Sequence, residues 1–158
     1  MRTLLLLFFL GTLMLSAQEE LPNITIKTLK NKPVNVYKEY NEKDKIYVFS
    51  FWATWCAPCI RELEAISENY LEWTKELNME LIAVSIDDAR TQRRIRPMLN
   101  GRDWPYEVLV DDNQNLKRAL SIVNIPYTVV VKNQKIEFIV NGYSQGAESE
   151  LFESLKEL

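Results

Sequence analysis

Two side chains in this sequence can carry electrons, Cys56 and Cys59, and the chain has no other cysteine and no histidine. They stand three apart in Trp55-Cys56-Ala57-Pro58-Cys59. A tetrahedral zinc site takes about four ligands, usually Cys or His, so two would have to be carboxylates here. Haem attachment through Cys-x-x-Cys needs His directly after the second cysteine, and Ile60 stands there. Cys–His nucleophilic catalysis is excluded for want of a histidine base. Dithiol–disulfide exchange remains, or a structural staple. A bridge over so short a loop gains little from closure entropy, which favours the redox role. Such exchange calls for no cofactor and no metal.

The elements that must position these cysteines are legible in the apolar pattern. Ile46–Trp52 is a nearly continuous β-forming run, the pattern of a strand buried on both faces. From Ala57 to Leu77, Ile60, Leu63, Ile66, Tyr70, Trp73 and Leu77 recur at three- and four-residue spacing, predicting a long helix. Pro58 is tolerated in its first turn. Ahead of them, Ile24–Leu29 and Val34–Tyr37 alternate around Lys30-Asn31-Lys32-Pro33 and predict a hairpin. Behind them, a strand is expected at Leu81–Ile86, a helix at Thr91–Leu99, a strand at Tyr106–Val110 and a short helix at Leu116–Leu120. A hairpin of Thr128–Val131 with Ile136–Val140 and a final helix at Glu148–Leu158 complete the chain. Strands alternating with helices predict a layered α/β domain with the sheet in the middle.

The cysteines therefore fall where a buried strand meets a helix N-terminus. Free N–H groups and the helix dipole favour negative charge there, so a thiolate is stabilised. Cys56, nearer the end and expected to be exposed, is the candidate attacking thiolate. Cys59, almost one turn further in, is the candidate resolving thiol.

At the N-terminus, Arg2 precedes an apolar run from Leu4 to Leu15, followed by the small residues Ser16 and Ala17. This is the build of a secretory signal peptide over residues 1–17, with a single domain over 18–158. The run is short for a bilayer span, which needs roughly 20 apolar residues, so an uncleaved anchor is the alternative. A net charge of −3 over 158 residues argues against nucleic acid as the main partner. Arg90, Arg93, Arg94, Arg96 and Arg102 form a local basic cluster, read as a solvated helix face with a docking patch as the alternative.

The nine residues Phe51-Trp52-Ala53-Thr54-Trp55-Cys56-Ala57-Pro58-Cys59 resemble the active-site segment of TlpA/ResA-type thioredoxins. Weaker similarity extends through Ala83-Val84-Ser85-Ile86-Asp87, Val108-Leu109-Val110-Asp111 and Ile125-Pro126-Tyr127-Thr128. The resemblance implies a thioredoxin fold with an N-terminal β-hairpin and a central helix–strand insertion, here residues 88–115. It implies an exported, usually reducing protein acting on protein thiols or disulfides and fed by a membrane electron donor. Pro126 would be the fold's cis-proline beside the cysteines, lining with Ile125 the groove that pairs with an extended substrate. Trp55 would flank and shield the thiolate, and Trp52 would support the loop from beneath. Glu62, three after Cys59 and on the same helix face, would exchange a proton with the resolving thiol, with a solvated surface glutamate as the alternative.

The sequence departs from relatives at three places. Ser50 stands where classical thioredoxins have a buried aspartate, so proton transfer cannot follow that route. Glu64 replaces a proline that commonly follows the acidic residue, which predicts a straighter helix. Tyr127 stands where reductases dedicated to cytochrome c maturation tend to have glutamate, so a general reductase fits better, and a role in that maturation stays open. Two other classes are kept in view. A peroxiredoxin-like peroxidase would want Pro and Thr or Ser where Phe49 and Ala53 stand, and a redox-inert binding module has no evident use for the cysteine pair.

Overall fold

The structure, a computed structural model, describes residues 19–158. The expected signal peptide lies outside the described residues. Among those described, no helix is long and apolar enough to cross a membrane.

Seven apolar-rich segments become strands and join in one sheet. They are β1 (Thr25–Thr28), β2 (Pro33–Asn35), β3 (Ile46–Trp52), β4 (Met79–Ser85), β5 (Glu107–Val110), β6 (Tyr127–Lys132) and β7 (Lys135–Asn141). Their spatial order is β2-β1-β5-β4-β3-β6-β7, with β3, β4 and β5 parallel and the remaining pairings antiparallel. Strand β3 is central and buried at all seven positions, as its unbroken apolar run requires. Burying a large side chain such as Phe49, Phe51 or Trp52 contributes about 1.5–3 kcal/mol. At the far edge, Asn133 and Gln134 both take positive φ and close the two-residue turn between β6 and β7.

The helices are α1 (Val36–Glu39), α2 (Ala57–Glu76), α3 (Ile95–Leu99), α4 (Asn115–Ala119) and α5 (Ala147–Lys156). Helix α2 buries Cys59, Glu62, Leu63, Ile66, Tyr70 and Trp73, the face its periodicity predicts, against β3, β4 and α5. Trp73 stacks on Phe152 of α5 with ring centroids 4.8 Å apart. Tyr106 Oη donates to the Leu63 carbonyl at 2.7 Å, pinning the chain just ahead of β5 to the middle of α2.

Residues 88–115 hold the expected insertion, and β5 within it stands between β1 and β4. Two expectations need correction. Val34–Tyr37 is not one strand, because Asn35 accepts from the Lys38 N–H at 3.1 Å and caps α1, turning the chain into a helix at Val36. The helix expected over Thr91–Leu99 is a 3-10 turn, Gln92–Arg94, followed by the short α3. The arginine cluster does not act as one face. Arg90 pairs with Asp88, Arg102 pairs with Glu64, and Arg96 donates to the Leu29 carbonyl. Arg93 and Arg96 border a cleft of about 550 Å³ together with Lys27 and Asp112.

Candidate active site

Strand β3 ends at Trp52 and helix α2 begins at Ala57, so the active-site loop is the four residues between. The Cys56 N–H donates to the Ala53 carbonyl at 3.0 Å and closes the turn. Cys56 is the N-cap of α2, and its Sγ accepts from the Cys59 N–H at 3.3 Å. The helix dipole and the free N–H groups of the first turn are thus aimed at this sulfur. Cys56 and Cys59 form a disulfide with Cα atoms 5.3 Å apart, close enough for the pair to open and close without backbone movement.

Cys56 was expected to be exposed, and the structure corrects this: only 5% of it is accessible, against none of Cys59. Cys56 remains the more accessible of the two. The preceding residue in sequence, Trp55, is 57% exposed, while Trp52 is fully buried. Trp104, to which the sequence gave no role, packs edge-on against Trp52 at 5.1 Å.

Glu62 does not sit on a solvated surface. It is 4% exposed and one helical turn beyond Cys59. Ser50 Oγ donates to its Oε2 and Thr128 Oγ1 to its Oε1, both at 3.2 Å. Ser50 and Thr128 are directly opposite each other on β3 and β6, so a cross-strand pair grips the carboxyl group. Burial pushes Glu62 up to about 7, and the bonds from Thr128 and Ser50 pull in the other direction. A group with that value can give or take a proton near neutral pH.

The Ile125–Pro126 peptide is cis, as the resemblance implied. Pro126 is buried, and its carbonyl accepts from the Gly142 N–H at 2.9 Å. Ile125 is half-buried and makes no backbone hydrogen bond among the described residues. Glu64 lies on the exposed side of α2, where it pairs with Arg102 at 2.9 Å.

Thr128 and Asp87 are the site residues the sequence reading left without a role. Thr128 carries no signal of its own, since a Thr in a strand is ordinary, and only its pairing with Ser50 reveals it. Asp87 was visible as an acidic residue ending a strand. The fold brings it to the active-site loop, where it binds Thr54.

A thioredoxin-type sheet, a Cys-x-x-Cys pair on a helix N-terminus and a cis-proline just ahead of β6 define a class of dithiol–disulfide proteins. Comparison with known proteins agrees. The sequence matches the AhpC/TSA family over residues 17–139 and belongs to that family, and it is similar to thiol–disulfide oxidoreductases of the ResA type. The thiol–disulfide oxidoreductase ResA of Oceanobacillus iheyensis is 35% identical over 96 residues, spanning 60% of this chain and about half (48%) of that protein. ResA of Bacillus thuringiensis subsp. konkukian is 26% identical over 89% of this chain and 77% of its own length. A thioredoxin-like protein from Porphyromonas gingivalis superposes with a TM-score of 0.75 at 40% identity, covering 87% of this chain and 90% of the other.

Proposed function

We propose that this chain is an extracytoplasmic reductase of protein disulfides, supplied with electrons by a membrane donor. The observation that carries the reading is the placement of Cys56 at the cap of α2, with Cys59 enclosed behind it next to the buried Glu62. The Cys56 thiolate attacks one sulfur of a substrate disulfide. The substrate's other sulfur leaves as a thiolate and takes up a proton, giving a mixed disulfide on Cys56. Glu62 then takes the proton of Cys59, and the Cys59 thiolate attacks Cys56 Sγ. The second substrate sulfur is released, and the Cys56–Cys59 disulfide forms as the substrate gains two electrons. Trp55 and the unpaired backbone of Ile125, beside Pro126, supply the surface along which an extended substrate segment lies.

Export is supported by the signal-peptide pattern of residues 1–17. Tyr127 after Pro126 favours general protein substrates over a role confined to cytochrome c maturation. The peroxidase alternative finds Phe49 and Ala53, both buried core residues, where it would want Pro and Thr or Ser. A peroxide-consumption assay separates the two readings. The direct test is reduction of insulin disulfides. Cys56→Ser should abolish it, while Cys59→Ser should stall as a mixed disulfide with its substrate. If Cys59 proves the more readily alkylated thiol of the reduced protein, the roles assigned here are wrong.

A further inference from the structure

Three hydrogen bonds from two elements converge on Asp87, a fully buried residue just beyond the end of β4. The Thr54 N–H donates to Oδ2 at 2.8 Å and the Thr54 hydroxyl to Oδ1 at 2.7 Å. Ser85 Oγ also donates to Oδ2, at 2.9 Å, and itself accepts from the Asp87 N–H at 3.1 Å. One residue earlier, the Ile86 N–H donates to the Trp52 carbonyl at 2.9 Å. The parallel pairing of β3 and β4 ends at Trp52 and Ser85. Beyond that point the two chains would separate, and these contacts carry the connection into the loop that holds Cys56.

Thr54 is therefore gripped at both its backbone and its hydroxyl, two residues before the attacking sulfur. The following turn closes through Cys56 N–H and the Ala53 carbonyl, so the turn that leads into Cys56 is tied through Thr54 to the end of β4. The grip also decides which donors face the sulfur. The Thr54 N–H is occupied by Asp87, whereas the Cys59 N–H points at Cys56 Sγ. We propose that Asp87 is a positioning residue for the thiol chemistry: through Thr54 it fixes the turn that presents Cys56 to the disulfide it attacks. The inference rests on Cys56 being the attacking thiol and is independent of the direction of electron flow.

The test uses the reduced protein in a Cys59→Ala background, where Cys56 is the only thiol. Its rate of alkylation by iodoacetamide is followed across the neutral pH range. The same substitutions in the intact Cys56/Cys59 protein are assayed for kcat and KM on insulin, with Tm measured for each. Thr54→Val removes the hydroxyl donor while keeping shape and the N–H bond, and Asp87→Asn alters the acceptor. Loss of one hydrogen bond to this buried acceptor should slow alkylation and kcat about tenfold, with KM little changed and Thr54→Ser within about twofold of wild type. If Asp87→Asn does not fold, the Thr54 pair decides alone. Alkylation and kcat unchanged in Thr54→Val, whatever its Tm, would overturn the proposal and leave Asp87 a strand-end cap. An equal loss in Thr54→Ser would also overturn it. A wild-type protein inert toward insulin would count against the reductase reading, while the alkylation rates would still report on Asp87.

Discussion

Thr128 reaches Glu62 from the strand that begins one residue after Pro126, its hydroxyl donating to Oε1 across 3.2 Å. The carboxyl one helical turn beyond Cys59 is held by the strand that directly follows the cis Ile125–Pro126 bond. Ser50 completes the grip from β3, its hydroxyl donating to Oε2.

The elevated titration of Glu62 makes stability fall with rising pH. Between its ordinary 4.5 and about 7, the folded protein holds a proton that the unfolded chain releases. Stability is therefore lost as pH rises through that window, and the full cost is present above it. The shift from 4.5 to about 7 corresponds to a cost on the order of 3 kcal/mol. Glu62→Gln should flatten the dependence, seen as a gap in urea midpoint that opens in its favour as pH rises from 5 to 8. The same variant should reshape the thiol titration and slow turnover near neutral pH. Parallel stability curves for the two proteins would mean that Glu62 titrates as an ordinary surface acid.

Thr128→Val removes a donor that favours the charged carboxylate and keeps the size of the side chain. Glu62 should then titrate higher still, by about one unit. The alkaline displacement should appear in the pH profile of turnover measured with excess reductant. A profile that stays in place would show that Thr128 contributes packing alone.

Electron flow should run outward, from this protein to its substrate. Strong oxidants owe their potential to a heavily stabilised thiolate, as in DsbA near −120 mV. Here the intervening residues are Ala57 and Pro58, with no histidine to add such stabilisation. A negative charge on buried Glu62 further disfavours a thiolate on its own helix face. A potential below about −220 mV is expected, closer to thioredoxin near −270 mV. Equilibration against glutathione or dithiothreitol, read by tryptophan fluorescence, gives the value. One more positive than about −170 mV would place the protein with the oxidants.

The sequence alone narrowed the chemistry to dithiol–disulfide exchange or a structural staple, and it laid out most of the scaffold. Two cysteines three apart without histidine admit few reactions, and elimination needs only composition. The central strand Ile46–Trp52 and helix α2 were legible because both are long and their apolar periods unambiguous. Short elements were less so: Val34–Tyr37 carried a strand-like pattern, and a single side-chain cap on Asn35 was enough to turn it into a helix. What only the tertiary structure decided is the environment of each polar group. Glu62 is surface-like in composition and becomes a buried acid because its turn of α2 lands on the Ser50–Thr128 pair. Asp87 is 33 residues from Thr54 and meets it because β3 and β4 run parallel and end together. Periodicity reports which face of an element is apolar. It does not report which polar residue on another element will be opposite, and that is set by strand order and register.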